Sequence, residues 1–419
     1  MKILIKSCKI IAPSSEFNGK VKDILIQDGI IEKIEDKIDA DADQVLEYDN
    51  LNVSTGWYDS RVNFCDPGLE FKEDLNSGLK AAEMGGMTAV SVTPNTEPTL
   101  SNKSQIEYVL KNSYFSPVDI FPHGSITEKL EGKELAEMYD MQKAGAIAFS
   151  DAKKDVSAGI MYRALLYTKN FDGLVISFPF DRTLFGTGQV NEGESSVRTG
   201  LKSIPSISEY IRIERDISLL KYTEGKLHIS GVSTKEGVDL IRKAKADGLN
   251  ISADTYAINL LYNDEKMLDF DVNYKVLPPL RSEEDRKALI QGIKDGTIDV
   301  VCSDHSPQNI ENKDVEFDHA SFGIIGTQTL FPMLNQLDEL SLEQKINLIS
   351  YNPRKLFNLP PTSIQIGEMA NLTLFSPDEK WSLSKDDIVS KSLNTPLIGA
   401  ELKGKVIGII NSGELSVLA

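Results

Sequence analysis

The sequence predicts a (β/α)8 barrel flanked by a small β-sandwich, and three observations lead there. Eight short apolar runs alternate with helical stretches through the middle of the chain, over roughly 300 residues, which suits a closed barrel of eight units. Both ends read as short strands with hairpin turns. No glycine-rich dinucleotide or P-loop fingerprint breaks the alternation. Neither end is large enough to bury a comfortable core alone, so residues 1–53 and 366–419 are expected to join into one composite sandwich beside a barrel at 54–365.

At the start, ILIKSCKII is followed by VKDILIQDGIIEKIED, where Asp28-Gly29 between alternating apolar runs is a strong hairpin signal. The eight barrel strands are then YDSRVNF, TAVSVTP, VDIFPHGS, AIAFSD, LVISFPFD, KLHISGVS, NISADTYAI and DVVCSDHS. Helix signals separate them. Ser233 to Glu236 reads as a capping box opening GVDLIRKAKADG, with Gly248 near its end, and Ser282 to Asp285 opens DRKALIQGIKDG. At the other end NLTLFSP precedes GKVIGIINSGEL, which turns at Asn411-Ser412-Gly413.

Composition narrows the function classes. Of 419 residues 41% are hydrophobic and 26% charged, the make-up of a globular protein rather than a disordered or collagenous one. The formal net charge of −18 repels phosphate backbones, so a nucleic-acid footprint is not expected, although local cationic pockets for small anions are compatible with it. Three scattered cysteines, Cys8, Cys65 and Cys302, give no disulfide framework and fit a reducing cytoplasm. Lys2, Lys6 and Lys9 break any signal-peptide run, and no membrane span is expected.

In a barrel of this kind the chemistry sits at the C-terminal ends of the strands. Strand one ends in Arg61-Val-Asn63-Phe-Cys65, and period-two alternation sends Arg61, Asn63 and Cys65 to one side. Strand two ends in Thr93-Pro94-Asn95, strand four in Asp151, strand five in Phe178-Pro179-Phe180, strand six in Gly231 and strand eight in Asp304-His305. Asp151 and Asp304 are thus expected at one mouth, where buried carboxylates need a proton or a cation. Phe178 and Phe180 read as core filler, and His305, next to Asp304 on a strand, points to the opposite face. Cys65 and Cys302 read as buried thiols that could approach one another, and His123 and His319 as residues on or near loops without a role.

The run STGWYDSRVNFCDPG resembles the first-strand signature PGFIDLHVHLRDPG of the dihydroorotases, members of the amidohydrolase superfamily. TPNTEP, AFSD, NEG, LHISGVSTKEGV, KVLPPLR, SDHSP, FGIIGTQT, NPRK and NTPLIGAELKGKV match the same family in order, nearly end to end. The resemblance implies a metal-hydrolase barrel and, for working members, zinc held by HxH on strand one, a carboxylate or carbamylated lysine on strand four, histidines on strands five and six, and an aspartate on strand eight. In this chain those positions carry Arg61, Asn63, Asp151, Phe178, Gly231 and Asp304, of which only the two aspartates could ligate. His228 falls three residues before the strand-six ligand position. The family's substrate-gripping arginine corresponds to Cys65 and a histidine to Gln308, whereas Asn95, a substrate contact in the family, is kept.

The family reaction is the reversible cyclisation of N-carbamoyl-aspartate to dihydroorotate in pyrimidine biosynthesis, with the aspartate matched by Asp304 moving the proton. The residues at those positions imply instead a non-catalytic homologue that binds no metal; that it self-associates and acts through assembly with a partner such as aspartate carbamoyltransferase is what analogy with inactive members of the family implies. Arg61 is expected to stand where zinc would and to bind Asp304, Asp151 or both; the bland alternative sends Arg61 to solvent and the aspartates to backbone amides. Two further readings stay open. One is an active cyclic-amide hydrolase with an atypical zinc site built from Asp151, Asp304 and His228 or Asp254. The other is a self-associating scaffold like the non-enzymatic relatives of dihydropyrimidinases.

Overall fold

The computed structural model describes residues 1–418 and contains two large sheets. Eight parallel strands follow one another in chain order: Trp57–Val62, Met87–Val92, Asp119–Gly124, Ala148–Ser150, Val175–Ser177, Leu227–Ile229, Ile251–Tyr256 and Val300–Cys302. The last returns to the first through a Val62–His305 bridge and a bond from the Asn63 amide to the His305 carbonyl at 2.8 Å, which closes the barrel. Strand one is buried along its whole length, as a strand covered on both faces must be.

Helices pack outside, and their starts follow ordinary capping chemistry. Asp74 accepts from the Ser77 amide ahead of Leu75–Met84, and Ser282 from the Asp285 amide ahead of Glu283–Lys294. The capping box expected at Ser233 does not form. Thr234, one residue later, caps Lys235–Ala246 through the Gly237 amide, and the Ser233 hydroxyl bonds the buried Glu209 carboxylate. Gly248 follows the helix with φ +78, a conformation that disfavours a side chain.

The second sheet uses both ends of the chain. Its path runs Glu414–Val417, Glu401–Asn411, Leu372–Ser382, Asn52–Thr55, Lys2–Ile11, Val21–Gln27 and Ile30–Glu35, with Gln44–Leu46 beside Lys2–Ile11. The chain reverses at Asp28-Gly29 and Ser412-Gly413, where both residues of each pair have positive φ, the geometry of a two-residue hairpin. Alternating apolar residues from both termini, among them Ile3, Ile5, Ile24, Val53, Leu372 and Ile410, make a core separate from that of the barrel. Among the described residues no helix is long and apolar enough to cross a membrane.

Candidate functional site

The C-terminal mouth of the barrel holds a pocket of about 180 Å³, lined among others by Arg61, Asn63, Asn95, Lys153, Gln308 and Asp304. Asp304 lies at its floor, its side chain 3% exposed, and two cations share it. Arg61 Nε donates to Oδ1 at 3.2 Å and Lys153 Nζ to Oδ2 at 2.5 Å. Burial works against the Arg61 charge, but the surrounding Tyr256, Asp304 and Asp254 oxygens outweigh it and hold the guanidinium protonated. Burial also pulls the Lys153 ammonium below the usual lysine range; Asp304 opposes the fall and Arg61 deepens it.

Arg61 therefore pairs with Asp304, whereas Asp151 takes the course of the bland alternative. The Asp151 carboxylate accepts from the Ile126 and Thr127 amides at 2.8 and 2.9 Å and from the Thr127 hydroxyl. Burial raises its pKa against these donors. The two carboxylates expected at one mouth are thus separately satisfied, because the loop after strand three wraps one of them before it reaches the pocket. Sequence reasoning missed Lys153. The signal was present in AFSDAKKD, two residues beyond Asp151, but only the fold brings that loop across the barrel to strand eight.

Behind Arg61 a polar network crosses from strand six to strand seven. His228 Nε2 meets Asp254 Oδ2 and His228 Nδ1 meets Ser252 Oγ, both at 2.9 Å, while Ser230 Oγ donates to Asp254 at 2.9 Å. Arg61 Nη1 reaches Ser230 Oγ at 3.5 Å. His228 and Asp254 are consumed by this network.

Phe178 lies flat against Phe180, with ring centroids 5.0 Å apart, in an apolar cluster with Ile204 and Leu277, in line with a filling role. The Arg61 guanidinium sits 6.0 Å from the Phe178 ring and 5.9 Å from that of Tyr256. Gly231 has φ +79, and a Cβ there would lie 2.7 Å from the Tyr256 hydroxyl. Tyr256 thus fills the space a larger residue at 231 would need.

Cys65 and His123 depart from expectation, whereas His319 and His305 follow it. The first strand ends at Val62 and Cys65 has φ +61, so alternation does not carry Cys65 to the face of Arg61. It lies near Lys72 and Glu73, whereas Cys302 lies near Asp254, Asp59 and Asp304; burial raises both thiol pKa values, to about 12 for Cys65. His123 is within strand three rather than on a loop: it is 1% exposed, and neither ring nitrogen has a partner among the described residues. Burial first, then the Arg61 charge, pushes its pKa down to about 3. His319 is on an exposed turn. His305 turns away from Asp304: its Nδ1 accepts from the Gly326 and Thr327 amides, and Nε2 lies 3.4 Å from Glu73. Gln308 is tied to Lys72 and to the Phe322 carbonyl.

Zinc prefers imidazole, thiolate and carboxylate donors, and this mouth does not fit it. One of its aspartates is capped by amides and the other is neutralised by two cations. Among the described residues no three His, Cys, Asp or Glu side chains are gathered as a metal site requires.

Comparison with known proteins follows the same lines. Residues 53–237 match the family described as Dihydro-orotase-like, and residues 212–415 the Amidohydrolase family. A dihydroorotase of Ruminiclostridium cellulolyticum is 38% identical over 97% of this chain and 96% of its own length. One of Caldicellulosiruptor saccharolyticus is 39% identical over 99% and 98%. Among solved structures, the L-hydantoinase (dihydropyrimidinase) of Arthrobacter aurescens superposes with a TM-score of 0.86, covering 100% of this chain and 97% of its own. At 22% identity that likeness shows the fold alone, a barrel with its flanking sheet. On near-complete alignment with relatives at this level of identity, the chain belongs to the dihydroorotase family of the amidohydrolase superfamily.

Proposed function

We propose that this dihydroorotase homologue does not catalyse the ring hydrolysis and serves pyrimidine biosynthesis through assembly with a partner, aspartate carbamoyltransferase being the candidate that family analogy supplies. The observation that carries the reading is the state of Asp304. A carboxylate that must accept a proton during hydrolysis is held here between a guanidinium and an ammonium, which occupy both of its oxygens. Arg61 and Lys153 contribute the positive charge that a metal centre would otherwise supply, but neither delivers an activated water. Residue 304 is then a structural anchor, Asn95 a remnant of the substrate contact, and localisation cytoplasmic.

The test has two parts. Elemental mass spectrometry after a zinc challenge is expected to find well under one ion per chain, with no dihydroorotate hydrolysis. Size-exclusion with light scattering is expected to show a self-associated species that co-elutes with aspartate carbamoyltransferase. Tightly held zinc together with turnover would establish the rival reading, an active cyclic-amide hydrolase with an atypical site. Oligomers that ignore the carbamoyltransferase would favour the scaffold.

A further inference from the structure

The mouth of the barrel is cationic in a chain whose net charge is −18. Arg61 and Lys153 lie at its floor, and Lys154 and Arg182 line it further out, both exposed. Asp304 is the one carboxylate in the lining, and it is taken by Arg61 and Lys153. The neighbouring acids do not balance the rim: Asp155 and Asp181 are turned to Arg212, and Asp181 also accepts from the Thr183 and Leu184 amides. Among the described residues neither Lys154 nor Arg182 has an ion-pair partner. Arg182 is nevertheless aimed, because its Nη2 donates to the Lys153 carbonyl at 2.9 Å.

Neutral donors are also left over. Asn63 uses its Oδ1 to accept from the Cys65 amide at 3.0 Å, and among the described residues its amide nitrogen has no acceptor. The Asn95 side chain lines the same space without a hydrogen-bond partner among the described residues. Two surplus cations and two free carboxamides around about 180 Å³ make a receptor for negative charge, too small for a nucleotide.

We infer that this mouth is a binding pocket for a small dianion, a phosphate or a short dicarboxylate, held by Lys154 and Arg182 at the rim and oriented by Asn63 and Asn95 above the Asp304 ion pairs. The cations come from positions that the motif comparison did not assign to substrate, whereas the positions of the family's substrate-gripping arginine and histidine carry Cys65 and Gln308. The pocket rests on the non-catalytic reading in one respect only, that a cation cluster and not a metal occupies the floor.

Calorimetric titration at low ionic strength would use inorganic phosphate, succinate and, as a monoanion, acetate, on the full chain stripped with chelator and dialysed, and on untreated protein. One dianion is expected to bind at one site per chain in both preparations, with acetate weaker by about tenfold or more. Phosphate alone would mark an oxyanion ligand and succinate alone a dicarboxylate. Lys154→Gln and Arg182→Gln, both at exposed positions, are each expected to weaken binding about tenfold without changing the melting temperature. No binding in either preparation, or binding indifferent to both variants, would overturn the anion site and leave the non-catalytic reading standing. Binding abolished by stripping would place an ion in the mouth and overturn both.

Discussion

Asp304 sits in a nearly closed space with two donors of different kinds on different oxygens. A guanidinium offers a fixed fork, an ammonium a compact rotatable charge, and together they offset the desolvation of a carboxylate at 3% exposure. Arg61→Met is expected to cost about 3 kcal/mol in urea unfolding, at the low end for breaking a buried pair because Lys153 remains. The triple variant Arg61→Met, Lys153→Met and Asp304→Leu is expected to recover most of that loss, since no uncompensated buried charge is left. His123 carries a different prediction. Its pKa is near 3 in the folded chain against 6.5 when free, so between those values the unfolded chain binds a proton that the folded one refuses. Stability should therefore fall by about 1.4 kcal/mol for each pH unit below 6.5 from this group alone, levelling near pH 3. His123→Leu should remove that part of the acid limb in denaturation curves taken across the range.

Loops after the strands decide what the barrel can bind. Gly231, on the loop that follows strand six, has φ +79, and Tyr256 from strand seven fills the space beside it. Reinstating histidine at positions 61, 63, 178 and 231 together is expected not to restore zinc binding by elemental analysis, because an imidazole at 231 meets the Tyr256 hydroxyl. Adding Tyr256→Ala to the four is the variant most suited to recovering it. Helix starts show the same dependence on surroundings. Thr234 both caps its helix and donates to Glu209 Oε1 at 2.8 Å, so Thr234→Ala should cost about 1–2 kcal/mol in thermal or urea melts. Ser233, the residue that spacing favoured as cap, bonds Glu209 instead. The local pattern marks a helix start, but not which of two adjacent hydroxyls, both bonded to a buried carboxylate from another helix, also caps it.

For the molecule as a whole, the sheet shared by both termini ties the ends of the chain together. Leu372–Ser382 pairs with Asn52–Thr55, more than three hundred residues away in sequence, and the apolar cluster between them draws on both ends. Deleting residues 366–419 would leave Asn52–Thr55 with a bare edge and an open apolar face, and is expected to yield insoluble protein on expression. Periodicity and turn chemistry are local, so the eight strands, the Asp28-Gly29 and Ser412-Gly413 hairpins and the helix signals were legible in order. Arg61 and Asp304 were legible as residues near the strand ends, and the ligand positions they are matched to remain what the resemblance implies. Partnership was not legible. Arg61 could have paired with Asp304, with Asp151 or with solvent, and the choice depends on the loop after strand three capping Asp151 first. Lys153 across the mouth, the orphaned His123 and the Tyr256 hydroxyl beside Gly231 likewise depend on distances between strands that no spacing in the chain encodes. The sequence by itself determined the family, the barrel and some of the groups at its mouth, Arg61, Asn63, Asn95 and Asp304 among them. Tertiary structure alone decided which charges meet, because electrostatic pairing depends on separation and burial in space, and residues hundreds of positions apart acquire both only when the barrel closes.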